Sequence, residues 1–325
     1  MNAVSRIVCL TAALGAGVIA APAFPQQQYP AKPIRLIVPL APGGPSDILA
    51  RTVAAKLTEG IKQTVMVDNR TGAGGTVGAA VAAKSPPDGY TIILVSTSYA
   101  INATLYPKLP YDTLKDLTAV TMLAAAPYLL TVHPSLPAKS LKQLVALAKA
   151  RPGDLNYASG GSGTGPQLSM EVLKQRAGLD IVHVPYKGAG PALTDLIAGQ
   201  VHMQLVNMIA GLPLVKAGRI RALGVSKATR SPAAPDIPTL AESGAPGYDE
   251  GGQHGIMIPA GTPKDVVARL HQEIVKVLHL PEINNRLSQE GATVVGNTPE
   301  QYQAIIRADI EKWAKIIKAL GLRAN

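Results

Sequence analysis

Short β-branched runs alternate along this chain with longer segments whose apolar residues recur at helical spacing. Ile34–Val38 reads as a buried strand. Ile48, Leu49, Val53 and Leu57 then recur every three to four residues and predict a helix over 46–59. The same reading gives strands at 65–67 and 91–95 and a small helix at Thr76–Ala83. Further strands are expected at 119–124, 129–133, 156–158, 181–184, 203–206, 220–225 and 256–258. Ser140 and Gln143 form a capping-box pattern ahead of Leu144 and Leu147. Thr262-Pro263 and Thr298-Pro299 each place a hydroxyl at an N-cap and Pro in the first turn. The last helix is expected to stop at Gly321.

Alternating strands and helices imply an α/β protein with largely parallel sheets. The chain has 325 residues, more than one domain usually holds, so two domains are expected. Turn-rich stretches at 124–127 and 247–255 mark two crossings, which would make one domain discontinuous.

Composition narrows the class. Hydrophobic residues make up 47% and charged residues 16%, which excludes a disordered polyelectrolyte. Arg6 precedes the uncharged run 7–21 and an Ala21-Pro22-Ala23 pattern, the layout of a secretory signal peptide. That run is shorter than the ~20 residues a spanning helix needs. Cleavage is expected after Ala23. It would remove Cys9, the only Cys, and with it disulfides, thiolate catalysis and Cys-ligated zinc. The formal net charge is +10, but no basic block is interleaved with aromatics, so no nucleic-acid partner is expected. Dispersed positive charge suits a small anion better.

Candidate chemistry lies in loops between strands and helices. Gly43 and Gly44 let the backbone turn sharply, and the following helix N-terminus favours carboxylate or phosphate. Ser46 and Asp47 read equally well as helix caps or as ligand contacts. Gly-rich loops at 72–78 and 160–165 match neither a dinucleotide fingerprint, a Walker A motif nor a nucleophile elbow. Ser96, Thr97 and Ser98 follow a strand and are either hydroxyl donors to a carboxylate or a cap cluster. Lys187, after Tyr186, is a ligand cation or a solvated charge. The six histidines show no zinc-ligand spacing, and no cofactor or metal is expected.

These motifs, in order, resemble the periplasmic solute receptors of the tripartite tricarboxylate transporter family, the Bug proteins. The resemblance is carried by Tyr29 through Pro39, by Pro42 through Asp47 with Ala50-Arg51, and by Asn69-Arg70 with Gly72 through Gly75. Ala100 through Asn102, Leu105-Tyr106, Tyr157 through Gly161, His183 through Gly188, Pro191 through Thr194, Gly199 through Val201 and Pro259 through Pro263 complete it. It implies a two-lobed periplasmic-binding-protein fold of type II-like architecture, each lobe a mainly parallel sheet flanked by helices. Lobe 1 would comprise 24–125 and 254–325, and lobe 2 residues 126–253. By position, the resemblance assigns ligand contact to Gly43, Gly44, Ser46, Asp47, Ser96, Thr97 and Ser98 on one lobe. It assigns Ser159, Gly163, Thr164, Tyr186 and Lys187 on the other. The chain departs from the family pattern at Gln167, Asn207 and Gln253-His254, which leaves the ligand's far end open.

The expectation is a monomeric periplasmic receptor, not an enzyme. It would capture a dicarboxylate, tricarboxylate, acidic amino acid or aromatic acid and deliver it to membrane transporter subunits. Two alternatives compete. One is a secreted hydrolase or transferase using Ser162 with His183 or His254. The other is a ligand sensor docking a membrane signalling protein.

Overall fold

The computed structural model describes residues 29–323; the proposed signal peptide and its cleavage point lie outside them. The order is β1 (Ile34–Val38), α1 (Pro45–Ile61), β2 (Val65–Asn69), α2 (Thr76–Ala83), β3 (Thr91–Ser96), α3 (Thr97–Leu105) and β4 (Leu117–Val132). Then come α4 (Leu141–Ala150), β5 (Asn156–Ser159), α5 (Gly165–Ala177), β6 (Val182–Pro185), α6 (Ala189–Ile197), β7 (Met203–Asn207), α7 (Met208–Lys216) and β8 (Arg221–Val225). The chain closes with β9 (Gly251–Pro259), α8 (Lys264–Leu278), α9 (Pro281–Gln289), β10 (Thr293–Val294) and α10 (Pro299–Leu320). No helix among the described residues is long and apolar enough to cross a membrane.

The strands form one mixed sheet of ten, ordered β2-β1-β3-β9-β4-β7-β5-β6, with β8 and β10 also on β4. Both ends are parallel: β1 pairs β2 and β3, and β5 pairs β6 and β7. The centre is antiparallel: β9 runs opposite to β3 and to β4, and β4 runs opposite to β7 and β8. The sheets are thus parallel only at their outer strands.

The 119–124 and 129–133 strands are a single strand, β4. Its first part, through Pro127, pairs with β9; from Tyr128 it pairs with β7, and from Leu129 also with β8. Pro127 lacks an N–H, so it sits where the strand exchanges neighbours. β9 starts at Gly251 opposite Pro127, so both passages of chain between the two halves lie side by side.

Apolar runs buried on both faces explain the strand signals. In β1, Ile34, Leu36 and Val38 face one core cluster while Ile37 faces another. In β3, Ile92 and Leu94 divide from Ile93 and Val95 in the same way. The other half repeats this parity, with Leu130 and Val132 on one face of β4 and Leu129 on the opposite face. A fifth cluster joins the halves: Trp313 and Ile317 of α10 pack on Ile101 and Leu105 of α3 and Leu168 of α5.

Two caps differ from expectation. Ser140 Oγ accepts from Gln143 N–H at 3.2 Å, but Gln143 Oε1 reaches Lys139 N–H instead of closing the box on Ser140. Thr262 Oγ1 donates to the Pro259 carbonyl at 2.7 Å, and α8 starts without a side-chain cap. Thr298 and Gln301 do form a reciprocal box, and Gly321 ends α10 in the left-handed conformation.

Candidate functional site

The alternation of strand and helix carries the loops after β1, β3, β5, β6 and β7 to one small cavity of about 40 Å³. Its wall contains the starts of five helices. Gly44, Pro45 and Ser46 open α1; Ser96, Thr97 and Ser98 open α3; Thr164, Gly165 and Pro166 open α5. Ala189 opens α6 and Asn207 caps α7. Each helix start presents unpaired N–H groups and roughly half a positive charge. Four of the five have no side chain capping them; at the fifth, Asn207 accepts from Ile209 N–H. Among the described residues, no Lys, Arg, Asp or Glu lines this cavity. An anion there would be held by oriented dipoles in a small buried space, where dipoles act more strongly than in bulk water.

The remaining polar wall is neutral as well. Burial holds the His254 imidazole down at about 4, so it is uncharged at neutral pH, and its Nε2 lies 3.2 Å from Ser46 Oγ. Thr97 Oγ1 accepts from the Gln253 backbone N–H at 3.1 Å. Tyr128 stands beside Gly165 and Gly252, where any side chain would collide with its hydroxyl, and burial pushes its phenol well up. Gln204, Asn207, Gln253 and His254 each keep one buried polar atom without a partner. The Gln253 side chain leaves the face of β9 opposite to His254, toward Asp309 of α10.

Of the expected site residues, Gly44, Ser46, Ser96, Thr97, Ser98 and Thr164 line the cavity. The others sit around it. Asp47 is a brace: its carboxylate accepts from Gly43 N–H, Asn69 Nδ2 and Arg51 Nε, all within 3.1 Å. Burial alone would raise this carboxyl, but those donors hold it below the usual range. Gly43, at φ +76°, makes the turn that brings Gly44 to the wall, and itself faces an outer groove. Ser159 lies under the wall, bonded to His183 Nε2 at 2.6 Å and to Gly161 N–H at 3.0 Å. Gly163 N–H donates to Gln167 Oε1 at 3.3 Å. The Tyr186 hydroxyl donates to Asp195. The Lys187 side chain is exposed, and its carbonyl accepts from Ala41 N–H. Tyr186 and Lys187 instead border a separate opening of about 190 Å³ with Ser162.

Sequence reasoning missed Tyr128, Gln204, Gly160, Gly165, Pro166, Ala189 and Gly252 as wall residues. Gln204 had a usable signal: it is the polar residue inside the apolar 203–206 run. Ser162 is not paired with a histidine. His183 bonds Ser159 and His254 bonds Ser46, so neither forms the hydrolase dyad considered above.

A cavity ringed by helix N-termini, between two sheet halves joined by crossing strands, defines a solute-binding protein. The family model for the tripartite tricarboxylate transporter family receptor matches residues 49–322. The chain belongs to that family, one of receptors rather than enzymes. It resembles the periplasmic binding protein BugD with 31% identity and a TM-score of 0.89, over 91% of this chain and all of that one. It resembles R. palustris Rpa4515, solved with adipate, with 38% identity and a TM-score of 0.88, over 91% of this chain and 99% of that one. MatC from Rhodopseudomonas palustris, solved with malate, gives 31% identity and 0.85, over 89% of this chain and all of that one. The protein is therefore a solute-binding receptor of the tripartite tricarboxylate transporter type.

Proposed function

We propose that this receptor is exported to the periplasm, with cleavage after Ala23, and captures a small carboxylate for membrane transporter subunits. The observation that carries the ligand class is the convergence of five helix N-termini on a cavity with no charged side chain in its wall. The carboxylates bound by Rpa4515 and MatC support the same class. Gly44, Ser46, Ser96, Thr97, Ser98 and Thr164 are the contacts, with Asp47 shaping the loop from behind.

The pairing exchange of β4 at Pro127 and the start of β9 at Gly251 support a division into lobe 1 (24–125 and 254–325) and lobe 2 (126–253). About 40 Å³ holds little more than a few waters, so a metabolite enters when the lobes part and is sealed when they meet. Closing would then present a surface drawn from both lobes to the membrane subunits. Calorimetric titration with C4–C6 carboxylates and neutral sugars tests this reading. Saturable one-to-one binding of carboxylates alone supports it; binding of sugars with no response to any carboxylate removes it.

A further inference from the structure

Helix α10 is shared between the two halves. Its first part rides on lobe 1: Tyr302 and Ile306 pack in the cluster that holds Ile37, Ile93 and Met257. Gln303 Oε1 there accepts from Ala119 N–H at 3.2 Å. Its last part reaches lobe 2. Trp313 and Ile317 pack with Leu168 of α5, and Ile316 and Leu320 lie against the core around Leu144 and Leu173. Between these parts, two polar bonds tie the helix to the place where the chain crosses. Gln253 Nε2 donates to the Asp309 carboxylate at 3.0 Å. One turn further on, Lys312 Nζ meets Glu250 Oε2 at 2.8 Å.

Glu250 is fastened to lobe 2. Its N–H donates to the Ser226 carbonyl at 2.8 Å, and its own carbonyl accepts from Ser226 Oγ at 2.6 Å. Ser226 in turn bonds both backbone groups of Tyr128. The Lys312–Glu250 pair therefore bridges the lobes. The Glu250 side chain is only 8% exposed, and the nearby Lys227 is engaged by Asp249 at 2.9 Å. Parted from Lys312, the Glu250 carboxylate would keep no cation, and a stranded buried charge is costly.

The helix cannot absorb an opening motion by kinking. Residues 300–320 contain no Gly, Pro or Ser, the residues at which helices bend sharply. A straight α10 that rides with lobe 1 carries Lys312 away from Glu250 when the lobes part.

We infer that Lys312 is a positioning residue for ligand capture. Its pair with Glu250 is made on closure and holds the lobes shut around a ligand that neither residue touches, since neither lines the cavity. This rests on the two-lobed carboxylate-receptor reading above and adds to it. The pair forms after the ligand has entered, so its loss shortens the ligand's stay and leaves its arrival unchanged.

The test is calorimetry and stopped-flow kinetics on the full mature chain with the tightest-binding acid of the C4–C6 panel. Lys312→Met removes the charge and keeps an unbranched apolar stem. It should lower affinity about ten-fold, as the closed population falls, and the loss should lie in the dissociation rate. The melting temperature of the unliganded protein should hardly move. Glu250→Gln should give a similar loss, the double variant no further loss, and Lys312→Arg should restore most of the affinity. Unchanged affinity in Lys312→Met overturns the latch, whatever the melting temperature does, because a purely structural pair would lower stability alone. Additive losses in the double variant overturn the pairing with Glu250. Silence from every acid toward the unaltered protein overturns the carboxylate-receptor reading itself, which separates the two failures.

Discussion

The Ala41 amide donates a 3.1 Å hydrogen bond to the Lys187 carbonyl, tying the loop after β1 to the loop after β6. Glycine makes this approach possible. A Cβ on Gly188 would stand 2.6 Å from Ala41 N, and one on Gly190 would stand 2.1 Å from the Pro42 carbonyl oxygen. Gly74 and Gly163 show the same crowding across the opposite rim, against the Ser162 carbonyl and Asn102. At Gly190 and Gly74 the contact is backbone against backbone; at Gly163 it is the Asn102 side chain that crowds the glycine.

Gly190→Ala tests this seam. Gly190 has no left-handed φ, so the substitution adds one methyl without backbone strain. Overpacking costs about 1–3 kcal/mol, all of it in the closed arrangement. Ligand affinity should fall roughly ten- to hundred-fold by calorimetry. The melting temperature of the unliganded protein should hardly move, and scattering should report a more open particle. Unchanged affinity would mean the seam is not part of closure.

Asp47→Asn tests the brace. The Asp47 carboxyl lies below its ordinary value near 3.8, so its stabilisation is complete above the unfolded value. It is lost as pH falls through the folded value. The unaltered protein should lose an increment of melting temperature below about pH 4 that the variant lacks. The variant should also bind ligand more weakly at neutral pH, because Gly43 and Asn69 use two different carboxylate oxygens and an amide keeps only one acceptor. Identical acid profiles would remove the brace.

His254 titrates in a different window. Its folded value of about 4 lies under the ordinary 6.5, so the unfolded chain takes the proton first. Stability should be level above pH 6.5 and fall as pH drops toward 4, on the order of 1 kcal/mol per unit. His254→Gln should flatten that slope. Denaturant titrations at pH 4.5, 5.5 and 7 measure it, and a slope that survives in the variant would assign it to another group.

Trp313 is the only tryptophan, and it is 1% exposed where α10 spans α3 and α5. Acrylamide should quench its fluorescence more readily without ligand than with it, because parting the halves loosens this cluster. Trp313→Ala should cost about 3–5 kcal/mol by denaturant titration. Quenching that is low and unaffected by ligand would show that α10 stays sealed during opening.

Much of the fold was legible because the strands are apolar on both faces. Ile34–Val38 and the 91–95 run stand out from their surroundings, and each is followed by a helix signal. The single long β4 was not legible, since Pro127 reads as a break when considered locally and only its pairing with Gly251 shows otherwise. The loop residues of the site were readable as helix starts. Gln204, Asn207, Gln253 and His254 come from two distant strands that meet only through β4. Asp47 shows the limit most clearly. A cap and a ligand contact demand the same residue at the same place, and only the positions of Arg51 and Asn69 separate them.

The central claim is that helix N-termini, without a charged side chain, hold a carboxylate charge. The most direct measurement is a calorimetric comparison of the tightest-binding C4–C6 acid with its carboxamide, which has the same shape and no charge. The account predicts that the amide loses about a hundred-fold or more in affinity, as charge-assisted bonds become neutral ones. An amide that binds as tightly as the acid would contradict it.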